Sequence, residues 1–400
     1  MENTNVPAKS GVFSEISKRL QVNLQTYALV IALIVIWGLF FILTKGLYLS
    51  PQNFSNLFRQ MTVTAVLSVG MVLVIVTGNI DLSVGRLAGF VSVVVAAFQA
   101  NIWHELLPGQ PLILTTGLSV IVGLLVGILY GVAQGYIIAY LRVTAFIVTL
   151  ASMWILNGLI LLITVGKTIP ANQPIFSEIG QGYLPNVVGW LLAGLVVALL
   201  FFNMFSSRRR KVKYGFELPP FYLDLAKTIF FSLLVVGYVF YVNKYQGVQV
   251  PVLILAILAV TVSYISSNTR FGRYSYAIGG NREAARLSGI NIKSNIFKIF
   301  ILMGFLCGIS GIMLASYVGY GTIAAGTSYE LIAIAACILG GTSTLGGEGT
   351  IFGAMVGALI LASLTNGLQL MNVAAASVYI LTGLVLVVAV IGDVYLKMNR

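Results

Sequence analysis

The chain is poor in charged residues. Of its 400 residues only 8% are charged, whereas 58% are hydrophobic and the mean hydropathy is +0.98. An average soluble domain is about 25% charged, so this shortage excludes one. The period-two alternation of a transmembrane β-barrel is also missing, which leaves helices as the structure that can span a bilayer. The composition predicts an all-α polytopic membrane protein of one domain.

Side chains for catalysis are equally scarce. His104 is the only histidine, and the two cysteines, Cys307 and Cys337, stand singly in apolar segments. No metal site, thiol pair or Ser-His-Asp triad can be assembled from this set. We interpret the cysteines as core residues and His104 as a solvated loop residue beside Trp103. The hypothesis of a membrane-embedded enzyme is therefore disfavoured, because the chain lacks a set of catalytic residues. We expect no cofactor in this chain.

Ionisable residues inside the apolar runs are few as well. A proton-coupled or sodium-coupled carrier usually carries them in the middle of its helices, because charges at membrane depth are costly and are retained for function. Here Asp81 and Glu330 are the main candidates, and both lie near predicted helix ends. We therefore expect the energy for any transport to come from outside the chain.

What the sequence has in abundance is long apolar runs. Spanning the roughly 30 Å hydrocarbon core takes about 20 residues, and such runs recur along the whole chain. They predict helices near 26–43, 60–77, 86–102, 112–140, 144–165, 187–205, 228–242, 251–267, 298–317, 328–341, 350–369 and 374–392. Some of these, 328–341 above all, are too short to cross upright, so we expect ten to twelve transmembrane helices that include short or broken ones.

The positions of the cations predict the topology. Lysine and arginine concentrate in cytoplasmic loops, and the net charge of +12 is therefore not taken as a sign of nucleic-acid binding. The clusters are Lys9 with Lys18 and Arg19, the run from Ser206 to Lys213, the stretch from Arg270 to Lys298, and Lys397 with Arg400. Placing all four inside makes both termini cytoplasmic, with a segment 1–25 and a tail 393–400 on either side of a membrane domain 26–392.

Two rows of glycines recur at intervals of four residues, from Gly123 to Gly135 and from Gly349 to Gly357. Residues four apart share one helix face, and small residues there allow another helix to approach closely. The rows predict close helix packing. Whether that packing lies within one chain, between subunits or along a sliding surface stays open at this point.

The stretch "GGTSTLGGEGT", from Gly340 to Thr350, is rich in glycine but is not a phosphate-binding loop. Such a loop needs a lysine followed by Ser or Thr after its last glycine, whereas Gly347 is followed by Glu348. We interpret the stretch as a break between two membrane helices, in which hydroxyl side chains satisfy freed backbone groups. Direct contact with a polar substrate is the alternative.

Two acidic residues are the strongest pointers to a transport path. Asp81 or Ser83 can cap the following helix, and Glu330 in the first turn of its helix suits the positive end of the helix dipole. Either acid can instead face a water-filled path. The candidates for the lining of such a path are Asp81, Ser83, Thr327, Glu330, Thr342, Ser343 and Thr344.

The stretch "GGNREAARLSGIN" is polar and basic between apolar runs. Ala284 and Ala285 favour a helix, Glu283 suits its first turn and Arg286 its end, and Gly289 is a stop signal. The sequence predicts a short cytoplasmic helix from Glu283 to Ser288, with a shallow alanine face that a partner can cover. It resembles the EAA loop of ABC-importer permeases, which docks into a cytoplasmic ATPase.

Further stretches resemble the carbohydrate-uptake permeases of the ribose, galactose and xylose class, and the resemblance covers nearly the whole chain. Those stretches are "YLSPQNFSNLFRQ", "IDLSVG", "AFIVTLASM", "GRYSYAIGGNREAARLSGIN", "YELIAIAACILGGTSTLGGEGTIFGAMVGALI" and "NGLQLMNV". The resemblance implies a bacterial inner-membrane permease subunit that forms a homodimer. Its partners would be a periplasmic or extracellular sugar-binding protein and a cytoplasmic ATPase that binds ATP and Mg.

Between 187 and 249 the chain departs from the shortest members of that class. We interpret this stretch as an extra helical hairpin with a cytoplasmic loop at 206–227, and the stretch 268–297 as the cytoplasmic coupling loop. Permeases of the xylose type are longer and look closest, which favours a pentose such as xylose as the solute. The rival hypothesis is a self-sufficient secondary sugar carrier or channel, which would transport without nucleotide.

Overall fold

A computed structural model describes residues 24–216 and 218–398. In that part of the chain the fold is almost entirely helical. Its one strand pair is antiparallel and short, with β1 (Ile169–Pro170) beside β2 (Tyr320–Gly321). The all-α class predicted from composition is confirmed.

The helices follow one another with short connections. They are α1 (Leu24–Leu43), α2 (Pro51–Val76), α3 (Val84–Ala97), α4 (Trp103–Leu106), α5 (Leu112–Ala139), α6 (Ala145–Thr164), α7 (Pro174–Gln181), α8 (Asn186–Lys213), α9 (Phe221–Val242), α10 (Val250–Asn268), α11 (Arg270–Gly280), α12 (Arg282–Leu287), α13 (Ile292–Val318), α14 (Tyr329–Leu339), α15 (Ile351–Leu370) and α16 (Ala375–Met398). A π-helical segment, Phe98–Ile102, joins α3 to α4.

Each of the twelve predicted segments contains a helix. Over the described residues, nine helices are long and apolar enough to cross a membrane, counting α3 through α4 as one span. Shorter apolar helical stretches are Leu29–Leu43, Tyr329–Leu339 and Ala375–Val385. The 11-residue α14 is the short helix predicted near 328–341. The polytopic architecture with short helices is confirmed, while the side on which the termini lie stays a prediction.

Several boundaries differ from the prediction because polar residues extend helices beyond the apolar runs. Helix α2 begins at Pro51 instead of near 60, since Ser50 accepts a hydrogen bond from the Asn53 N–H and caps it. Helix α13 begins at Ile292 instead of near 298, capped in the same way by Asn291. Hydropathy alone does not detect such polar first turns.

The predicted loop 206–227 is much shorter in the structure. Helix α8 continues through the basic run to Lys213, and α9 already begins at Phe221. At the other end of the chain, α16 runs to Met398, so most of the predicted tail 393–400 is helical. The predicted N-terminal segment 1–25 lies almost wholly outside the described residues, as do its cations.

Helices α2 and α13 form the centre of the bundle. In the most apolar 18-residue stretch of each helix, 83% of the residues of α2 and 78% of those of α13 are buried inside the chain. For α5 the share is 28%. A hydrogen bond from the Ser310 hydroxyl to the Val63 carbonyl oxygen, 2.9 Å long, joins the two helices. Helices α3, α5, α14 and α15 pack around this pair, and both cysteines are buried there, as predicted.

The first glycine row packs within the chain. Gly127 lies against Gly304 and Gly308 of α13, and Gly131 lies against the Phe300 carbonyl oxygen. The second row does the same between α15 and α14, where Gly353 and Gly357 contact Gly340 and Ala336. Of the alternatives left open for the glycine rows, the structure shows close helix packing within one chain.

We expect Gly127→Ala to destabilise the protein. The added methyl would overlap the Gly304 backbone, and overpacking of this kind costs about 1–3 kcal/mol. Gly117→Ala is the matched control, because it lies on the same helix and a Cβ there meets open space. Thermal unfolding in detergent should show a lower Tm for Gly127→Ala alone. Equal Tm values for the two variants would contradict this packing.

Candidate functional site: a helix outside the bundle and its connection to the core

Helix α12 is the predicted coupling helix, displaced by one residue from its expected start. Asn281 begins it, because its side-chain oxygen accepts hydrogen bonds from the N–H groups of Glu283 (3.1 Å) and Ala284 (2.9 Å). Gly289 follows its end with a φ of +79°, a left-handed angle that glycine adopts at little cost. The short helix and its glycine stop are confirmed, while the role in coupling stays a prediction.

The two alanines of α12 do not share an open face. Ala285 is buried against the rest of the chain, whereas Ala284 is exposed. Arg282, Glu283 and Leu287 lie on the open side of the helix with Ala284, and Leu287 is 75% exposed. The prediction of an open face formed by both alanines is therefore wrong for Ala285 and holds for Ala284. The apolar contact that a partner could cover is Leu287, which the sequence analysis missed because a single leucine gives no periodic signal.

Glu283 and Arg286 form an ion pair on the surface of α12. Arg286 Nε lies 3.1 Å from Glu283 Oε1 and 3.0 Å from Oε2. The Arg286 guanidinium holds the pKa of Glu283 below its usual range, and the carboxylate raises the pKa of Arg286 in return. Both groups are thus charged at neutral pH. The pair is solvent-exposed, so its value lies in presenting an ordered pair of charges more than in stability.

Helix α11 connects α12 to the end of the bundle through backbone contacts. Gly279 lies against the Val76 carbonyl oxygen at the end of α2 and against Gly347 of the glycine-rich loop. The Gly347 N–H donates to that same Val76 oxygen over 2.8 Å. We call Val76, Gly279 and Gly347 the glycine junction. One helical turn away, the Tyr276 hydroxyl donates to the Gly349 carbonyl oxygen over 2.8 Å.

The glycine-rich loop is a compact break between α14 and α15, as the sequence predicts. Ser343 N–H donates to the Glu348 carbonyl oxygen over 3.0 Å, and the Leu345 N–H donates to the Ser343 hydroxyl over 3.3 Å. Thr342 is buried, and its hydroxyl has no hydrogen-bond partner among the described residues. Thr344 is exposed. Of the three hydroxyl residues, Ser343 is the one whose side chain bonds a freed backbone group.

Asp81 belongs to a closed polar cluster. It is 2% exposed, and its Oδ1 accepts hydrogen bonds from the Ser83 N–H (2.8 Å) and the Ser83 hydroxyl (2.6 Å). The Gln134 amide of α5 donates to the Ser83 hydroxyl over 3.1 Å. Ser83 stands at the cap position of α3 but makes no capping hydrogen bond with its side chain. Asp81 therefore ties the connection between α2 and α3 to α5 instead of capping a helix.

Gln134 was not predicted as part of this cluster. It is 3% exposed and is an amide on the glycine-rich, otherwise apolar helix α5. A lone amide at membrane depth is the signal that sequence reasoning could have used, because an unsatisfied polar group there is costly.

Glu330 lies in the first turn of α14, as expected for an acid at the positive end of a helix dipole. It is 7% exposed, and its carboxylate contacts Gly85 at the start of α3. Its Oε2 has no hydrogen-bond partner among the described residues. Arg86 of α3 binds the loop that precedes α14. Its guanidinium donates hydrogen bonds to the carbonyl oxygens of Ile323 (3.1 Å) and Ala325 (3.2 Å).

The predicted path residues fall into two groups. Asp81 and Ser83 precede α3, whose residue Gly85 contacts Glu330. Exposed Thr327 lies in the loop before α14, where its hydroxyl donates to the Ala324 carbonyl oxygen over 2.8 Å. Thr342, Ser343 and Thr344 lie at the other end of α14. Eleven helical residues separate the two groups by roughly 16 Å. The structure thus places the seven residues in two groups, one at each end of α14.

No group of three or more His, Cys, Asp or Glu side chains in residues 24–216 and 218–398 is placed to hold a metal ion. His104 is exposed, but it lies on the single turn α4 and not in a loop as expected.

Comparison with known proteins decides the family. Residues 53–390 match the family described as "Branched-chain amino acid transport system / permease component". The chain belongs to this permease family.

The permease is also similar to curated proteins over nearly its whole length. It is 40% identical to the xylose transport system permease protein XylH of Haemophilus influenzae, over 93% of this chain and 97% of the relative. Against XylH of Escherichia coli K12 the identity is again 40%, over 95% and 94% of the two chains. The ribose import permease protein RbsC of the same strain is 32% identical, over 91% and 92%. No solved structure matches the chain.

We expect Asp81→Ala to destabilise the permease, because it removes the oxygen that accepts the buried Ser83 N–H and the Ser83 hydroxyl. A buried donor left unpaired costs about 1–3 kcal/mol. Asp81→Asn keeps one acceptor oxygen and should lose less. The exposed acid Glu105 supplies the control, Glu105→Gln. Thermal unfolding should rank Asp81→Ala lowest, and a Tm for Asp81→Ala equal to that of Glu105→Gln would show that the cluster carries no stability.

Proposed function

We propose that the chain is the membrane-spanning permease subunit of an ATP-driven ABC sugar importer of the xylose type. It passes a monosaccharide, a pentose such as xylose, from an external binding protein into the cytoplasm. The observation that carries this function is 40% identity to xylose permeases over at least 93% of the chain. The permease is a multi-pass protein of the bacterial inner membrane, in keeping with the nine helices of its described part that are long and apolar enough to cross one.

ATP and Mg are bound by a separate ATPase in this proposal, and the permease itself catalyses no reaction. The glycine-rich loop supports this division of labour. It is folded on itself by the bond from Ser343 to Glu348, and it is packed against Gly279 and Gly280 of α11. The backbone of the loop is thus already engaged in contacts within the chain. Nucleotide binding by the purified permease alone would contradict this part of the proposal.

The transport path is proposed to form between two copies of the chain. In one copy Asp81 and Glu330 are both buried, so neither lines an open channel. Beside them, Ile323 is 45% exposed, Leu331 is 56% exposed and Thr327 is exposed. These neutral side chains are suitable walls for a neutral sugar, which needs hydroxyl partners and apolar surfaces but no basic residues. A second copy facing this side of α14 would enclose the path.

The coupling route follows from the packing of α11 and α12. When the ATPase closes on ATP, it would displace α12, and α11 would carry the displacement to the glycine junction. There it would reach the end of α2 and the loop that precedes α15. This loop follows α14 directly, and Gly340 at their junction lies against Gly353 of α15, so α14 would move with the loop. The far end of α14 bears Glu330 against α3. One rigid series of contacts thus leads from the ATPase to the proposed path.

Reconstitution tests the function against its rival. Proteoliposomes containing the permease, its ATPase and the binding protein should take up xylose only with ATP inside, and should take up ribose more slowly. A secondary carrier or channel would need neither ATP nor the ATPase. Sugar uptake by the permease alone, at the rate of the full system, would therefore overturn the proposal.

We expect Gly279→Ala to uncouple the importer. A Cβ at this position would overlap the Val76 carbonyl oxygen and the Gly347 nitrogen, so the glycine junction must open. Gly280→Ala is the matched control, since a Cβ on the neighbouring residue meets open space. Xylose uptake per permease in the membrane should fall at least tenfold for Gly279→Ala and stay near wild type for Gly280→Ala. Equal uptake by both variants would remove the junction from the coupling route.

Changes on α12 should break the contact with the ATPase without affecting insertion. Glu283→Lys replaces the ion pair with two neighbouring cations, and Gly289→Ala strains a φ of +79° by roughly 1–2 kcal/mol. Co-purification of the ATPase, normalised to membrane abundance, should fall severalfold for both. Exposed Glu105, which lies on α4 and not on α12, provides the charge-reversal control Glu105→Lys. Full retention of ATPase by the two α12 variants would leave α12 as a mere connector.

A further inference from the structure

The hairpin of α8 and α9 carries an unusual concentration of positive charge at its tip. Five cations there are exposed, and none of them is ion-paired with a residue that the structure describes. They are Arg209, Arg210, Lys211, Lys213 and Lys227. The function proposed above makes no use of them.

The tip is held in a fixed shape. Arg208 forms an ion pair with Asp224 across the hairpin, donates to the Pro219 carbonyl oxygen over 3.1 Å, and lies 5.3 Å from the centre of the Phe221 ring. These contacts use the Asp224 carboxylate and leave the five exposed cations without a carboxylate partner among the described residues. The charges are therefore presented on an ordered end of two helices.

The length of α8 places these cations at the membrane surface. Its 28 residues make a helix about 42 Å long, whereas the hydrocarbon core is about 30 Å thick. The excess is roughly eight residues, which is the length of the basic run from Ser206 to Lys213. The preceding residues Phe202 and Phe205 are exposed and apolar, so acyl chains can cover them.

Aromatic residues around the tip also indicate that it lies at the membrane surface. Tyr214, Phe216, Phe221 and Tyr222 are each 48–69% exposed around the tip. Rings of this kind are enriched where the hydrocarbon meets the headgroups. The hairpin is also mostly open to lipid, because 17% of the apolar window of each helix is buried inside the chain. The cations and the surfaces for acyl chains are therefore contiguous.

We propose that the tip of the α8–α9 hairpin is a binding site for anionic phospholipid. The phosphate headgroup would lie against the exposed cations of the tip, and the acyl chains along the exposed side of α8. Charge complementarity selects this occupant: a lipid with net negative charge is held by each cation near the surface, whereas a zwitterionic lipid is not. Each Lys or Arg contributes about fivefold in affinity.

The test measures lipid binding to the purified full chain by native mass spectrometry with phosphatidylglycerol and phosphatidylethanolamine. The triple variant R209Q/R210Q/K211Q should lose phosphatidylglycerol affinity at least tenfold. A control with the same loss of charge, K45Q/K167Q/K244Q, changes exposed lysines that lie outside the tip and should bind as wild type does. The charge-preserving variant R209K/R210K should also retain binding, and phosphatidylethanolamine should bind weakly to all four proteins.

Two results would overturn the proposal. The first is equal phosphatidylglycerol affinity in the two triple variants, which would mean that the hairpin tip holds no lipid. The second is unchanged lipid binding together with loss of ATPase co-purification in R209Q/R210Q/K211Q, which would make the tip a protein-docking surface. Membrane abundance of each variant, measured in parallel, identifies a folding defect, and R209K/R210K still tests the site if the triple variant is not inserted.

Discussion

The close approach of backbones at the glycine junction is the constraint on which the coupling account depends. The Val76 carbonyl oxygen accepts the Gly347 N–H and contacts Gly279, so three separate segments meet without an intervening side chain. Contacts between backbones are stiff, because no rotamer can change to absorb a displacement. In the proposed coupling route, a force on α12 would therefore reach α2 and the glycine-rich loop with little loss, which a contact through long flexible side chains would not achieve.

The same principle organises the interior of the bundle. The glycine rows bring α5 onto α13 and α15 onto α14, and Gly85 brings α3 onto the start of α14 beside Glu330. In a bilayer, helix association depends on packing and on hydrogen bonds between helices, since the lipid is as apolar as the side chains. Closely packed glycine faces make the permease a set of rigid elements. The buried Asp81, Ser83 and Gln134 cluster adds a polar connection between two of them.

The sequence predicts the helical class, the twelve apolar segments and the short helix at α12 because each depends on local signals: hydropathy, caps and a glycine stop. The predicted starts of α2 and α13 and the predicted end of α8 were wrong, because polar residues extend each helix beyond its apolar run. The grouping of Asp81 with Gln134, and the separation of Thr342 from Glu330 by the length of α14, arise from tertiary packing. No spacing along the chain encodes which helices become neighbours.

Distances between spin labels would test most directly whether α12 and the glycine-rich loop move as one body. The exposed residues Leu287 and Leu345 are suitable label positions, with Leu129 on the outer side of α5 as the reference, and labelled chains would be diluted with unlabelled ones. Between the nucleotide-free and ATP-trapped complexes, the distance from Leu287 to Leu345 should stay constant while both change relative to Leu129. A change of several ångströms between Leu287 and Leu345 themselves would contradict rigid coupling through the glycine junction.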